Sequence, residues 1–295
     1  MVGRMAERDT TVRSRELGEG LRAVLERAGL TGKDVARKLD WSPSDVSRLL
    51  TGKRGIRETD VATFLGMCSV KKPEHDRLMA LCREANKPGW HQQHGSRLPK
   101  QLRTYLDHED KAVAISDYQA MLLPGSLQTG DYTRAVLNRA ANVPADEVDE
   151  RVAARLARAG IFSRQQPARF VYFVHEFVLR LPVGGTVVMS DQLHHLLRMS
   201  VRPYICVRVV PAAHGAHAGV SGSFTLMEFA AIKPVVYVES LTSTLFLEEP
   251  AEIAAYRRVV ASLAETAHDE EQSRAVIRNV AVELYGDRED DDEQD

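Results

Sequence analysis

Apolar residues recur every three or four positions through the first ninety residues, the period of helices that bury one face. Leu17, Leu21, Val24, Leu25 and Ala28 form such a stripe from Ser14 to Ala28, and Gly29 stops it, which predicts a first helix. Thr31 followed three residues later by Asp34 is an approximate capping box. Val35, Ala36 and Leu39 then supply the apolar face of a second helix of about two turns. After a break at Asp40 and Trp41, Ser42 is a strong N-cap and Pro43 takes the first helical position, where a missing N–H costs nothing. The third helix runs to about Leu50, and Gly52 supplies a left-handed stop. A basic loop from Lys53 to Arg57 leads to a fourth helix over about Thr59 to Cys68 and a fifth over Pro73 to Ala85.

The second half changes character. Helices are predicted near Thr129–Ala140, Ala145–Arg164, Ser190–Met199, Ala251–Ala264 and His268–Tyr285. Strands are predicted at Arg169–Val174, Tyr204–Val210, Ser223–Phe229 and Val235–Glu239. A short Gly-containing connection, Pro211 to Gly222, joins two of the strands, so we expect an α+β layer with a mixed or antiparallel sheet. The expected fold class is a mainly α N-terminal five-helix helix-turn-helix domain followed by an α+β C-terminal domain. Its boundaries are residues 1–86 for the first domain, 87–104 for a polar connector rich in His and Gln, and 105–286 for the second domain. Residues 287–295 hold seven acidic side chains in nine, which repel one another and predict a disordered tail.

Composition narrows the function classes. With 44% hydrophobic and 27% charged residues, the 295-residue chain falls among soluble globular proteins. No apolar run approaches the ~18 residues of a membrane span, and Met1 to Thr10 lacks the apolar core of a signal peptide. A cytoplasmic location with no membrane partner is expected. Cys68, Cys82 and Cys206 show no C-x-x-C spacing and read as small buried hydrophobes. The net charge of −2 conceals an asymmetry: residues 1–100 carry 20 Lys and Arg against 13 Asp and Glu, whereas the remainder carries 19 against 28. Polyanion binding is electrostatically easy in the first part.

Two short helices joined by a tight turn, with the small Ala36 where they cross, are what a helix-turn-helix requires. Such a motif binds double-stranded DNA by entering the major groove with the second helix N-terminus first. Ser42, Ser44, Asp45, Ser47 and Arg48 are then the side chains that reach base edges, while Val46, Leu49 and Leu50 face the core. Arg48 suits bidentate contact with guanine, worth ~1 to 3 kcal/mol of discrimination, and the serines are less selective. Asp45 either accepts from a cytosine amino group or stabilises the first turn of its own helix. Thr31, Gly32 and Lys33, together with Lys53 and Arg54, stand where phosphate contacts are expected. One such helix makes few contacts. A homodimer on an inverted repeat, with half-sites about one helical turn (~34 Å) apart, doubles them.

The run from Thr31 to Leu39, followed by Trp41-Ser-Pro-Ser-Asp-Val-Ser-Arg-Leu-Leu-Thr-Gly-Lys53, resembles the Cro/C1-repressor (xenobiotic-response-element) type of helix-turn-helix. Gly32 stands where glutamine is common, and Asp40 where a turn glycine is usual. Beyond residue 100 the chain resembles the large C-terminal domain of actinomycete regulators described as antitoxin-like. The matching stretches include Leu123-Pro-Gly-Ser-Leu-Gln-Thr-Gly-Asp-Tyr132, Arg151-Val-Ala-Ala-Arg-Leu-Ala-Arg158 and His175-Glu-Phe-Val-Leu-Arg180. The resemblance implies a transcriptional regulator controlled through its second domain, by a small-molecule effector or by a small protein encoded nearby. It also implies an alternative, an antitoxin-like protein that neutralises that partner and autoregulates its operon.

Other chemistry is weakly signalled. Glu176 and Glu239 end predicted strands, but nothing in the sequence brings them together for acid–base work. The pairs His91 and His94, His194 and His195, and His214 and His217 lack companion ligands at metal spacing. No phosphate-binding or hydrolase motif is present. We therefore expect no enzyme activity, no catalytic residues, no cofactor and no metal. The Gly184-Gly185 pair and the Gly215 to Gly222 run read as tight turns, or as loops that close over a ligand.

Overall fold

The computed structural model describes residues 12–52, 57–86, 100–230 and 232–285. The chain divides mainly into two compact units, the first ending at Lys111 and the second beginning at Ala112. The first contains α1 (Val12–Arg27), α2 (Gly32–Leu39), α3 (Pro43–Thr51), α4 (Glu58–Met67), α5 (Lys72–Asn86) and α6 (Lys100–Lys111). The five expected helices are all present, with ends within two residues of their predicted positions. Their apolar stripes meet in one core that includes Leu17, Leu21, Val35, Val46, Phe64 and Leu78.

The interior of α1 carries Gly18 and Gly20, each costing roughly 1 kcal/mol of helix propensity. Close approach explains both. A Cβ on Gly18 would stand 2.6 Å from the Leu50 carbonyl oxygen, and one on Gly20 would stand 2.5 Å from Leu78 Cδ2. The backbone of α1 therefore lies directly against α3 and α5.

Helix α6 was not anticipated, because its polar sequence obscures a short apolar face made by the buried Tyr105 and Leu106. It includes residues that the sequence reading assigned to a connector. Residues 87–99 of that connector, and the acidic tail, lie outside the described residues.

The second unit contains β1 (Ala114–Gln119), α7 (Gly130–Arg139), α8 (Val148–Arg158), β2 (Arg169–His175), α9 (Glu176–Arg180), α10 (Thr186–Met199) and β3 (Ile205–Val210). It continues through β4 (Phe224–Glu228), β5 (Val235–Glu239), β6 (Thr244–Leu247), α11 (Pro250–Thr266) and α12 (Glu270–Tyr285). The six strands form one mixed sheet in the order β3-β2-β1-β4-β5-β6. Strands β1, β2 and β3 run parallel, and the remaining pairings are antiparallel. Two strands went unrecognised in the sequence: β1, whose Ile-Ser-Asp-Tyr core lacks a clean alternation, and the four-residue edge strand β6. The helix expected over Ala145–Arg164 is a correction too. It is α8 flanked by 3-10 turns at Ala145–Glu147 and Ala159–Ser163, with Gly160 in the second turn.

One sheet face presents Tyr118, Phe173, Phe224, Leu226 and Val236 to Ile253 and Leu263 of α11. On the other face Asp117 aligns with Tyr172 on β2 and Thr225 on β4, and Thr225 aligns with Tyr237 on β5. The irregular segment after β1 is held by side chains. Fully buried Gln192 of α10 accepts the Thr129 N–H at 2.7 Å and donates to the Leu127 oxygen at 2.9 Å. Gln128 donates to the Leu123 oxygen at 2.7 Å, and the hydroxyls of Ser126 and Tyr172 lie 2.9 Å apart.

His108 of α6 generates a test. Its Nδ1 lies 2.7 Å from the Thr104 carbonyl and its Nε2 lies 2.7 Å from an Arg15 guanidinium nitrogen, so the ring is neutral, donating at Nδ1 and accepting at Nε2. Burial pushes its pKa down from 6.5 to about 4, against the raising effect of the Thr104 bond and with help from Arg15. The unfolded chain takes up this proton first. Stability is thus held above pH 6.5 and falls as pH drops from there toward 4, by up to about 1.4 kcal/mol per pH unit. Urea midpoints measured across that window should show the fall, and His108→Gln should make it shallower, with the lowered pKa values of His195 and His217 leaving a remainder.

Candidate nucleic-acid interface

Each element of the motif begins and ends on a side-chain or backbone cap. At the start of α2 the Thr31 hydroxyl accepts the Asp34 N–H at 3.3 Å, and Asp34 Oδ2 accepts the Thr31 N–H at 2.9 Å, a reciprocal capping box. Those Thr31 bonds hold the Asp34 carboxyl below its ordinary range, against a small opposing effect of burial. Asp40 then takes the left-handed conformation, φ 54° and ψ 40°, and the Trp41 N–H returns to the Ala36 carbonyl at 2.9 Å. Asp can occupy that turn without a glycine because it tolerates the left-handed region better than most residues.

Helix α3 opens with Ser42, whose hydroxyl oxygen accepts the Asp45 N–H at 3.1 Å, and with Pro43 in its first turn. Val46 and Leu49 are buried, whereas Ser42, Ser44, Ser47 and Arg48 are exposed and Asp45 is half-buried. Arg48, with 48% of its side chain accessible, donates to Asp45 Oδ1 at 2.9 Å and to the Ser44 hydroxyl at 3.3 Å. The Ser42 hydroxyl in turn donates to Asp45 Oδ2 at 2.7 Å. Asp45 therefore supports its own helix start and holds Arg48 at the same time. Of the two roles open for Asp45 from the sequence, the local one is occupied in the isolated chain.

The expected phosphate-contacting residues fall at the start of α2. Thr31 and Lys33 are exposed, and Gly32 is half-buried, with a Cβ placed there standing 3.6 Å from Val46 Cγ1. Lys53 and Arg54 lie outside the described residues. Sequence reasoning passed over two exposed cations on α2, Arg37 and Lys38. Arg37 lies one turn beyond Lys33, the i, i+4 spacing that marks a shared helix face, and it is paired with Asp34 at 2.9 Å.

The remaining candidates do not assemble. Glu176 accepts from the Ala212 N–H and the Arg180 guanidinium, each at 3.1 Å, at the end of β2. Glu239 ends β5, three strand spacings away, roughly 14 Å at ~4.8 Å per strand. Among the described residues no group of three or more His, Cys, Asp or Glu is arranged to hold a metal, and His91 and His94 lie outside those residues. Among the described residues no helix is long and apolar enough to cross a membrane.

Residues 16–78, which span α2 and α3, match a family described as Helix-turn-helix domain. Residues 102–279 match the family described as Domain of unknown function (DUF5753), a match over more than half of the chain. The chain belongs to the DUF5753 family. No curated protein and no solved structure matches it. This DUF5753 member is thus a helix-turn-helix protein of the DNA-binding kind with an α+β second domain.

The seat of α3 depends on the residue that caps its C-terminal end. Gly52 has φ 68°, and a Cβ there would clash with the Ser14 carbonyl of α1. Gly52→Ala should lower stability by at least about 2 kcal/mol, combining left-handed strain with the clash. Urea unfolding followed by tryptophan fluorescence measures it, and a loss below half that size would mean that α1 and α3 separate freely.

Proposed function

We propose that the chain is a cytoplasmic, sequence-specific transcriptional regulator that binds an inverted-repeat operator as a homodimer, with activity controlled through its second unit. The observation that carries this reading is the outer face of α3, where Ser42 and Ser44 stand exposed at the capped start of the helix, and Ser47 and Arg48 stand exposed about one turn further on. Arg48 is the side chain suited to bidentate base recognition. Its tie to Asp45 limits the rotamers it must give up on binding, so less entropy is lost when it meets a guanine. The α2 N-terminus offers N–H groups and Lys33 to a phosphate, which sets register without reading sequence. Two copies are required because one face holds a single strong base-reading group.

The experiment is selection of bound duplexes from a random library by the full chain, followed by anisotropy titrations on the selected site. A dyad with half-site centres about one helical turn apart is expected. Arg48→Ala should cost ~1 to 3 kcal/mol on that site and leave weak, salt-sensitive binding to scrambled duplex. Lys33→Ala should weaken both duplexes alike and reduce the salt slope by about one. Unchanged specificity in the Arg48 variant, or a selected site without a dyad, would overturn the reading.

A further inference from the structure

The strand order of the sheet reverses direction at β1. From there the chain builds outward to β2 and β3 on one side, and to β4, β5 and β6 on the other. In open sheets such a switch point leaves a crevice beyond the strand ends, where ligands are commonly held. A recess of about 220 Å³ lies at this place, between the end of β1, the start of β4 and the end of β5. A second recess, of about 850 Å³ and within the size range of small-molecule sites, shares a lining residue with it. Leu122 lines both.

Both recesses mix polar and apolar lining, and they differ in the charged residue type each carries, Glu239 in the first and Arg139 in the second. Gln119, Ser223, Thr225, Tyr237 and Glu239 form the polar part of the first lining beside an apolar remainder, and Glu239 is its acidic residue. The Gln119 amide nitrogen donates to Asp117 Oδ1 at 2.7 Å, which leaves the amide oxygen as its acceptor. Burial, then the Glu239 carboxylate, raises the Tyr237 pKa, so its hydroxyl stays protonated and donates to Glu239. The nearby Arg155 and Arg158 do not line the recess: Arg155 donates to Gln128 Oε1 at 3.0 Å, and buried Arg158 packs against Gly125. Within the first recess, Glu239 and the Gln119 oxygen are the acceptors that suit a cation with N–H donors. The second is walled by Leu122, Ala135, Val136, Pro182 and Val183, with Gly184 at φ 75° packed close to Ala135. Exposed Arg139 at its border disfavours a second positive charge there.

We propose that this crevice binds an amphiphilic monoamine, with its ammonium group between Glu239 and Gln119 and its apolar body passing Leu122 into the second recess. Gly184 and Gly185 then form the wall of a binding recess, going beyond the tight-turn role. The site belongs wholly to the second unit, and the proposal stands whether or not the chain binds DNA.

The test is isothermal titration calorimetry on the full chain at neutral pH with octylammonium, octanoate and butylammonium. Octylammonium should bind with 1:1 stoichiometry, octanoate roughly tenfold more weakly for its charge, and butylammonium on the order of a hundredfold more weakly for the loss of four buried methylenes. Glu239 is exposed, so Glu239→Gln should fold normally and weaken octylammonium roughly tenfold, through loss of a charge-assisted hydrogen bond. Equal affinity for amine and carboxylate would overturn the proposal. So would an unchanged affinity in the Glu239 variant, or no heat from octylammonium up to about 10 mM.

Discussion

The backbone of α1 runs against the C-terminal turn of α3, and the position of the whole base-facing surface follows from that contact. Gly18 meets the Leu50 carbonyl, and Gly52 meets the Ser14 carbonyl. The Arg22 guanidinium donates to the Leu50 oxygen at 2.7 Å and so satisfies one of the orphan carbonyls at the end of α3. An α3 of nine residues is too short to be stable alone. It is held at its start by Ser42, at its end by α1, and along its inner side by Val46 and Leu49. What remains outside is a narrow strip of hydroxyls and one guanidinium.

That strip is ordered before any ligand arrives. Ser42, Asp45 and Arg48 form a chain of hydrogen bonds in which one carboxylate serves both the helix start and the guanidinium. Such surface pairs contribute little to stability, about 0 to 1 kcal/mol. Their effect is on orientation and on the entropy of recognition.

The second unit solves a different problem, that of an irregular connection buried between a sheet and its helices. The segment after β1 carries backbone groups that water cannot reach, and the side chains of Gln128 and Gln192 satisfy them. With that segment held, β1 can sit in the interior of the sheet, between β2 and β4. The same Leu123 to Tyr132 run carried part of the family resemblance, and its visible role here is to hold its own backbone.

Local chemistry was legible in the sequence wherever a feature depends on residues close along the chain. The five helices of the first unit, the Thr31 and Ser42 caps, the left-handed Asp40 and Gly52, and the inward Val46 and Leu49 all belong to that class. Most strands with strong β-branched alternation were legible too. Helix α6 and strands β1 and β6 were not, because their polar or short sequences take their structure from what packs against them. Tertiary structure alone decided that Gly18 and Gly20 are contact points for neighbouring helices, that Glu176 and Glu239 stand apart, and that Gln119 and Glu239 meet at one recess. The reason is physical: caps and helical stripes are set by neighbours three or four residues away, whereas strand order and close approach depend on partners a hundred residues distant, whose positions no local pattern encodes.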